Sequence, residues 1–220
     1  MLNLPRFRPL LLAAASAAAA PAAASAATTT PTPAPSTPAC SSGTTTQAFA
    51  KFQDLADYAL APGGDFESGT AGWSLYNSAI VAGNETTGVR SGTHSLLLGA
   101  SPRGGNVMAV SPAFCVTPEH PTFRFLVKSN TADAQRSGLL VAIDYRVAGS
   151  AWVNVQTSTI GLQPSRDWVP SAVSPLATKI PASALAAGVT VRLSFLAYAS
   201  TAAAGGLQID NLMIDPYRRS

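Results

Sequence analysis

The chain has 220 residues with 14 Lys and Arg against 11 Asp and Glu, a net charge of +3 over a length that suits one domain. Arg6 and Arg8 fall in a segment that reads as a removable leader, leaving 12 − 11, or +1, on the remainder. So small a balance excludes a nucleic-acid protein driven by bulk charge, and two cysteines and two histidines exclude a dense disulfide or metal scaffold.

Residues 1–26 read as a secretory signal peptide. Arg6 and Arg8 form a positive start, Leu10 opens an apolar run to Ala20, and Ala24, Ser25 and Ala26 make a small-residue cleavage site. A membrane anchor is the rival reading, but the leucines soon give way to alanine and meet Pro21, short of the roughly 20 strongly apolar residues a span needs. Phe7 separates the two arginines, so there is no twin-arginine pair, and general secretion is the simpler route. Residues 27–39 are rich in Thr and Pro and hold no large apolar residue, which favours an extended, solvated linker. That segment serves equally as a tether or as a disordered mature N-terminus. A single folded domain is expected over residues 40–217, with 218–220 as a tail, in a secreted protein that is free or attached to the cell surface. A domain of this length buries roughly 70% of its unfolded-chain surface and requires no cofactor to fold.

Phe49, Phe52 and Leu55 recur at helical spacing, so one short N-terminal helix is expected over 46–53, with Thr45 or Thr46 as its cap. Beyond it the signal is β. Over 122–128, Phe123, Phe125 and Val127 share one face and Thr122, Arg124 and Lys128 the other, the period of two of a half-buried strand. Over 139–147 the inward set is Leu139, Val141, Ile143, Tyr145 and Val147, with Asp144 and Arg146 outward. Residues 148–151 form a turn, and 152–157 return as the hairpin partner. Over 189–198, Val189, Val191, Leu193 and Phe195 face Thr190, Arg192, Ser194 and Tyr198 across the strand. Shorter strands are expected at 80–82, 95–98, 107–110, 114–116, 168–173 and 207–214. In the last, Ile209 and Leu212 stand an odd number of residues apart, which predicts a bulge at Asp210 and Asn211. About ten strands separated by Gly, Pro, Asn and Ser clusters predict an all-β, antiparallel β-sandwich, and no βα alternation points to a Rossmann or barrel enzyme.

Three landmarks stand in order: Pro62-Gly63-Gly64-Asp65-Phe66-Glu67 followed by Gly72-Trp73-Ser74, then Ser91-Gly92-Thr93-His94-Ser95-Leu96, and last Gly206-Leu207-Gln208-Ile209-Asp210-Asn211-Leu212. Together they resemble galactose-binding-like jelly rolls, to which carbohydrate-binding modules are related. With Ser111 to Val116 and His120 to Phe125 added, the chain also resembles uncharacterised exported proteins of actinobacteria, which implies no activity. The first resemblance implies a jelly-roll sandwich and a glycan as ligand class. It further implies a structural calcium ion held by Glu67, Asp210 and carbonyls around 92–94. The rival is that both acids accept backbone N–H bonds or pair with Arg90 or Arg103.

A glycan cleft needs exposed aromatic rings with polar groups beside them. Tyr198 is the one aromatic at outward parity on the long strands, and Trp152 follows the hairpin turn, so these two are the candidate ligand-binding residues. Each tryptophan, Trp73 and Trp168 included, has a second reading as a cap on the core. Catalysis finds little support. There is no Gly-x-Ser-x-Gly elbow, and His94 and Ser95 are strand neighbours that point to opposite faces. His94 and His120 alone cannot build catalytic zinc, and the pairs Asp65/Glu67 and Asp210/Asp215 are of a kind any domain offers. The expectation is an exported, non-catalytic module for a glycan or cell-envelope polymer, with no nucleic acid and no membrane span in the mature protein. The alternative is a structural or protein-interaction surface domain without a small-molecule ligand. Cys40 and Cys115 are the only cysteines, and export would deliver them to an oxidising compartment, so a disulfide is expected, with two free thiols as the rival.

Overall fold

A computed structural model describes residues 44–85, 92–99, 107–130, 138–160, 165–198 and 205–215. Every described residue belongs to one compact unit, Pro35–Ser220. The segments read as signal peptide and linker, together with Arg90, Arg103 and Cys40, lie outside the described residues.

The domain is an antiparallel sandwich of two sheets. Its strands in chain order are β1 Thr45–Thr46, β2 Tyr58–Leu60, β3 Ser74–Tyr76, β4 Ala79–Ala82, β5 His94–Leu98, β6 Val107–Val110 and β7 Phe114–Val116. Then come β8 Thr122–Ser129, β9 Leu139–Val147, β10 Val153–Ile160, β11 Val169–Pro170, β12 Ser174–Pro175, β13 Val189–Ala197 and β14 Leu207–Asp215. The first sheet runs β1-β2-β14-β5-β4, with β8 on the other edge of β14 and β11 and β12 beyond it. The second runs β10-β9-β13-β6-β3, with β7 beside β6 on the same edge of β13.

The long strands follow their alternation. Phe123, Phe125, Val127, Leu139, Val141, Ile143, Val191, Leu193 and Phe195 are all buried between the sheets. Phe125 and Phe195 meet edge to face at 5.5 Å, and Trp73 joins Phe195 at 6.1 Å and Phe66 at 5.1 Å, so one aromatic file links the two layers. Trp73 is therefore core, and its indole N–H donates to the Gly63 carbonyl at 3.0 Å. The expected bulge is present in β14. Leu126 pairs Asp210 and Arg124 pairs Met213, so one residue is extra, and Asn211 takes φ 47° to accommodate it.

The helix expected over 46–53 is not formed. Thr45 and Thr46 are a strand, and only Ala50–Phe52 turns, as a single 3-10 turn. Tertiary burial overrides the spacing: Phe49 is fully buried, while Leu55 is 64% exposed. The one α-helix among the described residues is α1, Ala182–Ala186, entered from Pro181 and closed by Gly188 at φ 79°. Pro181 and Gly188 bracket it in the sequence. That signal is easily passed over in a run this short.

A second apolar cluster lies on the outer face of the first sheet. Leu126 and Met213 point away from the sandwich interior and are covered by Ala48, Phe49, Ala56 and Tyr58, with Phe52, Leu60 and Trp168 at the margin. Residues 44–58 thus cover that face. Arg124 and Lys128, which parity places outward, are not a solvated charge row there. Arg124 donates to Asp54 Oδ2 at 2.6 Å and lies 5.1 Å from the Phe49 ring, and Lys128 lies 5.1 Å from the Trp168 ring.

Candidate functional site

The outer face of the second sheet carries the candidate residues. Register sets Asp144 of β9 between Arg192 of β13 and Asn154 of β10, and sets Arg146 opposite Thr190. The turn after β9 is closed by the Ser150 N–H on the Val147 carbonyl at 3.0 Å, with Gly149 at φ 79°. It brings Trp152 back over the strand ends. The Arg146 and Arg192 guanidinium carbons lie 4.6 and 4.4 Å from the Trp152 ring centroid. Arg192 Nε donates to Asp144 Oδ2 at 3.1 Å, and Asn154 Nδ2 donates to Asp144 Oδ1 at 2.9 Å. Arg146 Nε has the Thr190 hydroxyl at 3.4 Å.

Tyr198 stands at the opposite end of the same face, 39% exposed, its hydroxyl 3.1 Å from that of Thr159. Gly138 must be glycine for the ring to lie there, since a Cβ would fall 1.9 Å from Tyr198 Cδ2. Between Tyr198 and Trp152 the face holds half-buried Leu140, Ala142 and Leu196 and exposed Thr157 and Thr159, with Tyr76 exposed at the β3 edge. From Leu140 to Arg146 this is about 20 Å at the rise of a strand. The structure thus brings Trp152 and Tyr198, singled out separately in the sequence, to one face but at its two ends. The sequence did not single out Arg146, Asp144, Asn154 and Arg192 as partners of Trp152, although their outward parity and the hairpin turn carried that information.

Glu67 and Asp210 occupy the first sheet's side of the molecule, and each accepts backbone N–H groups. Glu67 Oε1 accepts from the N–H of Thr93 and of His94, both at 2.7 Å, and Oε2 lies 3.2 Å from the Thr93 hydroxyl and from His94 Nδ1. Burial pushes the Glu67 carboxyl up, but these donors outweigh it and hold the group below its usual range. Gly92 allows the approach, because a Cβ there would fall 1.9 Å from Glu67 Cδ. Asp210 is 1% exposed and accepts the Glu85 N–H at 3.0 Å and the Asn211 N–H at 2.7 Å. Burial raises its pKa to about 7; the two N–H groups oppose the shift, and the charges of Glu67 and Glu85 add to it. Glu85 itself is ion-paired with Lys51 of the covering segment.

This donor set bears on the calcium that the resemblance implies. The backbone at Thr93 and His94 turns N–H groups toward Glu67, and the Gly92 carbonyl accepts from Asn84 Nδ2. A hard cation needs the reverse, oxygens converging on one point. Among the described residues no group of three or more His, Cys, Asp or Glu side chains could hold a metal ion. As arranged, the corner is an anion cap and does not fit a cation cage.

His94 and Ser95 do not pair: the His94 ring meets Glu67, and the Ser95 hydroxyl donates to the Gly83 carbonyl. Among the described residues no cysteine is free. Cys115 lies on β7 and its expected partner Cys40 is outside the described residues. A depression of about 320 Å³ lined by Pro118, Ala177, Thr178, Ile180, Ala182 and Leu185 has no convergent charged group. No helix among the described residues is long and apolar enough to cross a membrane.

No family model and no curated protein matches the chain. Solved structures do resemble it in fold. A family 11 carbohydrate-binding module from Clostridium thermocellum is 11% identical, with 74% of this chain and 98% of that one covered at a TM-score of 0.43. A glycoside hydrolase from Bacteroides thetaiotaomicron, assigned that activity provisionally, is 14% identical over 66% of this chain and 58% of its own, at 0.38. An arabinose-bound α-L-arabinofuranosidase is 12% identical over 71% of this chain, at 0.41, and the chain spans only 26% of it.

Proposed function

We propose that this protein is an exported, non-catalytic binding module that takes a glycan or cell-envelope polymer along the outer face of its second sheet. One observation carries the reading. The first sheet's outer face is covered by residues 44–58, whereas the second sheet's outer face presents Trp152, Arg146, Arg192, Asp144 and Asn154 in mutual contact, with Tyr198 and Tyr76 exposed beyond them. Aromatic rings, a planar cation, an amide and hydroxyls on one strip are what a polyhydroxylated chain can meet with both stacking and hydrogen bonds. The test is retention of the purified chain on a set of insoluble cell-wall and plant polysaccharides. Trp152→Ala should abolish retention and leave the melting temperature nearly intact. A loss of stability without any effect on retention would instead favour a structural or protein-interaction role.

Export also fits a Cys40–Cys115 disulfide. The closed loop would span 115 − 40, or 75, residues, which the chain-entropy account values at about 4 kcal/mol before strain is subtracted. Alkylation of the denatured, unreduced protein should label neither cysteine. Two labelled cysteines would remove the bridge.

A further inference from the structure

We infer that the polymer bound on this face is an acidic polysaccharide whose sugars carry carboxylates, with Arg146 beside Trp152 as the subsite for the acid. The inference rests on the glycan reading above and narrows it. The Trp152 ring is not bare, since two guanidinium groups lie within 4.6 Å of its centroid. What the indole provides is a fixed seat for two arginines. The two differ in their charge partners. Arg192 is ion-paired with Asp144 through Nε, and Asn154 takes the acid's other oxygen, so its charge is already matched. Arg146 is exposed, its one hydrogen bond is to the Thr190 hydroxyl, and no carboxylate among the described residues forms an ion pair with it.

An arginine held against a ring, with most of its donors unspent, is half of a bidentate carboxylate pair. Its seat also reduces the side-chain freedom that binding would otherwise remove. From Arg146 the strip runs about 20 Å along β9 and β10, past exposed Thr157 and Thr159 and half-buried Leu140 and Ala142, to the Tyr198 hydroxyl. A chain of sugars could lie on that strip with one acid at Arg146. A small free acid would use only its end. The fork favours a planar carboxylate of a sugar acid over a phosphodiester backbone, and the test keeps the two apart.

The experiment measures the affinity of the full chain for soluble polygalacturonate, for its methyl ester, for a neutral β-glucan and for poly(glycerol phosphate). Polygalacturonate should bind. Methyl esterification, or Arg146→Gln, should weaken binding about tenfold or more, as expected for one charge-assisted pair. Arg146→Lys should restore only part of it, because it returns the charge without the fork. Lys179→Gln, at an exposed cation in the 3-10 turn Ala177–Lys179 and so outside the second sheet, should change nothing, and the melting temperature of Arg146→Gln should stay that of the parent. Equal affinity for the acid and its ester overturns the inference, as does an equal loss in Lys179→Gln, which would mean bulk charge. Preference for poly(glycerol phosphate) overturns the carboxylate class. Binding of the neutral glucan with Arg146→Gln unaffected and Trp152→Ala inactive would sink the acid preference and keep the glycan reading. Retention of none of the polymers sinks both.

Discussion

The two outer faces of the sandwich are built from the same kinds of residue and have opposite fates. On the first sheet Arg124 lies against the Phe49 ring and donates to Asp54, which also accepts from Tyr58. The charged pair is only 16% and 19% exposed and every group has a protein partner. On the second sheet two arginines lie against Trp152, and the one carboxylate beside them, Asp144, is paired with Arg192. One cation is left over and no described segment covers it. An arginine on a ring is thus a fastening where acids match cations and the chain folds over it. It is a binding element where the count leaves a cation in surplus.

The sharpest way to break this comparison is to loosen the cover. Phe49 is fully buried and touches Tyr58 edge to face at 4.9 Å. Phe49→Ala should cost about 3–5 kcal/mol, the usual range for emptying such a site, read as the urea midpoint at constant slope. Polymer binding on the opposite face should persist. A loss below about 1 kcal/mol would mean that residues 44–58 merely rest on the sheet, since true core truncations rarely cost so little.

The next effect comes from Asp210, on the covered side. Its pKa rises from 3.8 unfolded to about 7 folded, so between these values the folded state holds the extra proton. Stability should therefore fall as pH rises from about 4 to about 7, by roughly 4 kcal/mol, and level off above. Asp210→Asn should flatten that fall. A chelator should leave the profile unchanged. If calcium neutralises the site instead, the fall will be absent with calcium and appear on chelation, and the resemblance will have been the better guide.

The long strands were legible because both of their faces are decided by one core. The 139–147 strand was read to its observed ends, and the odd spacing of Ile209 and Leu212 located the bulge. The cover was not read, although a sign of it stood in the sequence. Leu126 sits at outward parity between Arg124 and Lys128, and a buried leucine on an outward face requires something above it. Strands β1, β2 and β3 are two or three residues long, too short for any period to show. At the candidate site Trp152 and Tyr198 could be singled out because aromatic residues at turns and outward positions are scarce. The grouping of Arg146, Arg192 and Asp144 needed the register of three strands, which spacing within one strand does not supply.

A smaller effect separates the two ion pairs. Burial pushes the Asp54 carboxyl up, but the Tyr58 hydroxyl, the Ala56 N–H and Arg124 together hold it below the usual range. A depressed folded pKa stabilises above the unfolded value and is lost as pH falls through the folded one. Below about pH 4 stability should thus drop with acid, opposite in sign to the Asp210 limb, giving a maximum near pH 4. Asp54→Asn should cost about 1–3 kcal/mol at neutral pH by leaving Arg124 without its carboxylate under the cover. A variant as stable as the parent would show that the cover tolerates an unmatched cation, and the contrast between the faces would lose its basis.

The smallest effect on stability belongs to Asp144, and it is the most informative about function. Its pair with Arg192 is partly exposed, Arg192 showing 33% of its side chain, so Asp144→Ala should change stability by less than about 1 kcal/mol. The charge balance changes more. Two arginines on one ring would then face solvent with no acid between them, and the face would gain a unit of positive charge and a second unmatched cation. Affinity for polygalacturonate should rise severalfold, with a steeper decline as salt is added, because two cations now screen together. Asp144 is also the group that orients Arg192 through its Nε, and this sets the competing outcome. If binding falls while stability holds, the ligand needs Arg192 fixed more than it needs Arg192 free. The acid would then be a positioning residue of the site and no longer its internal competitor.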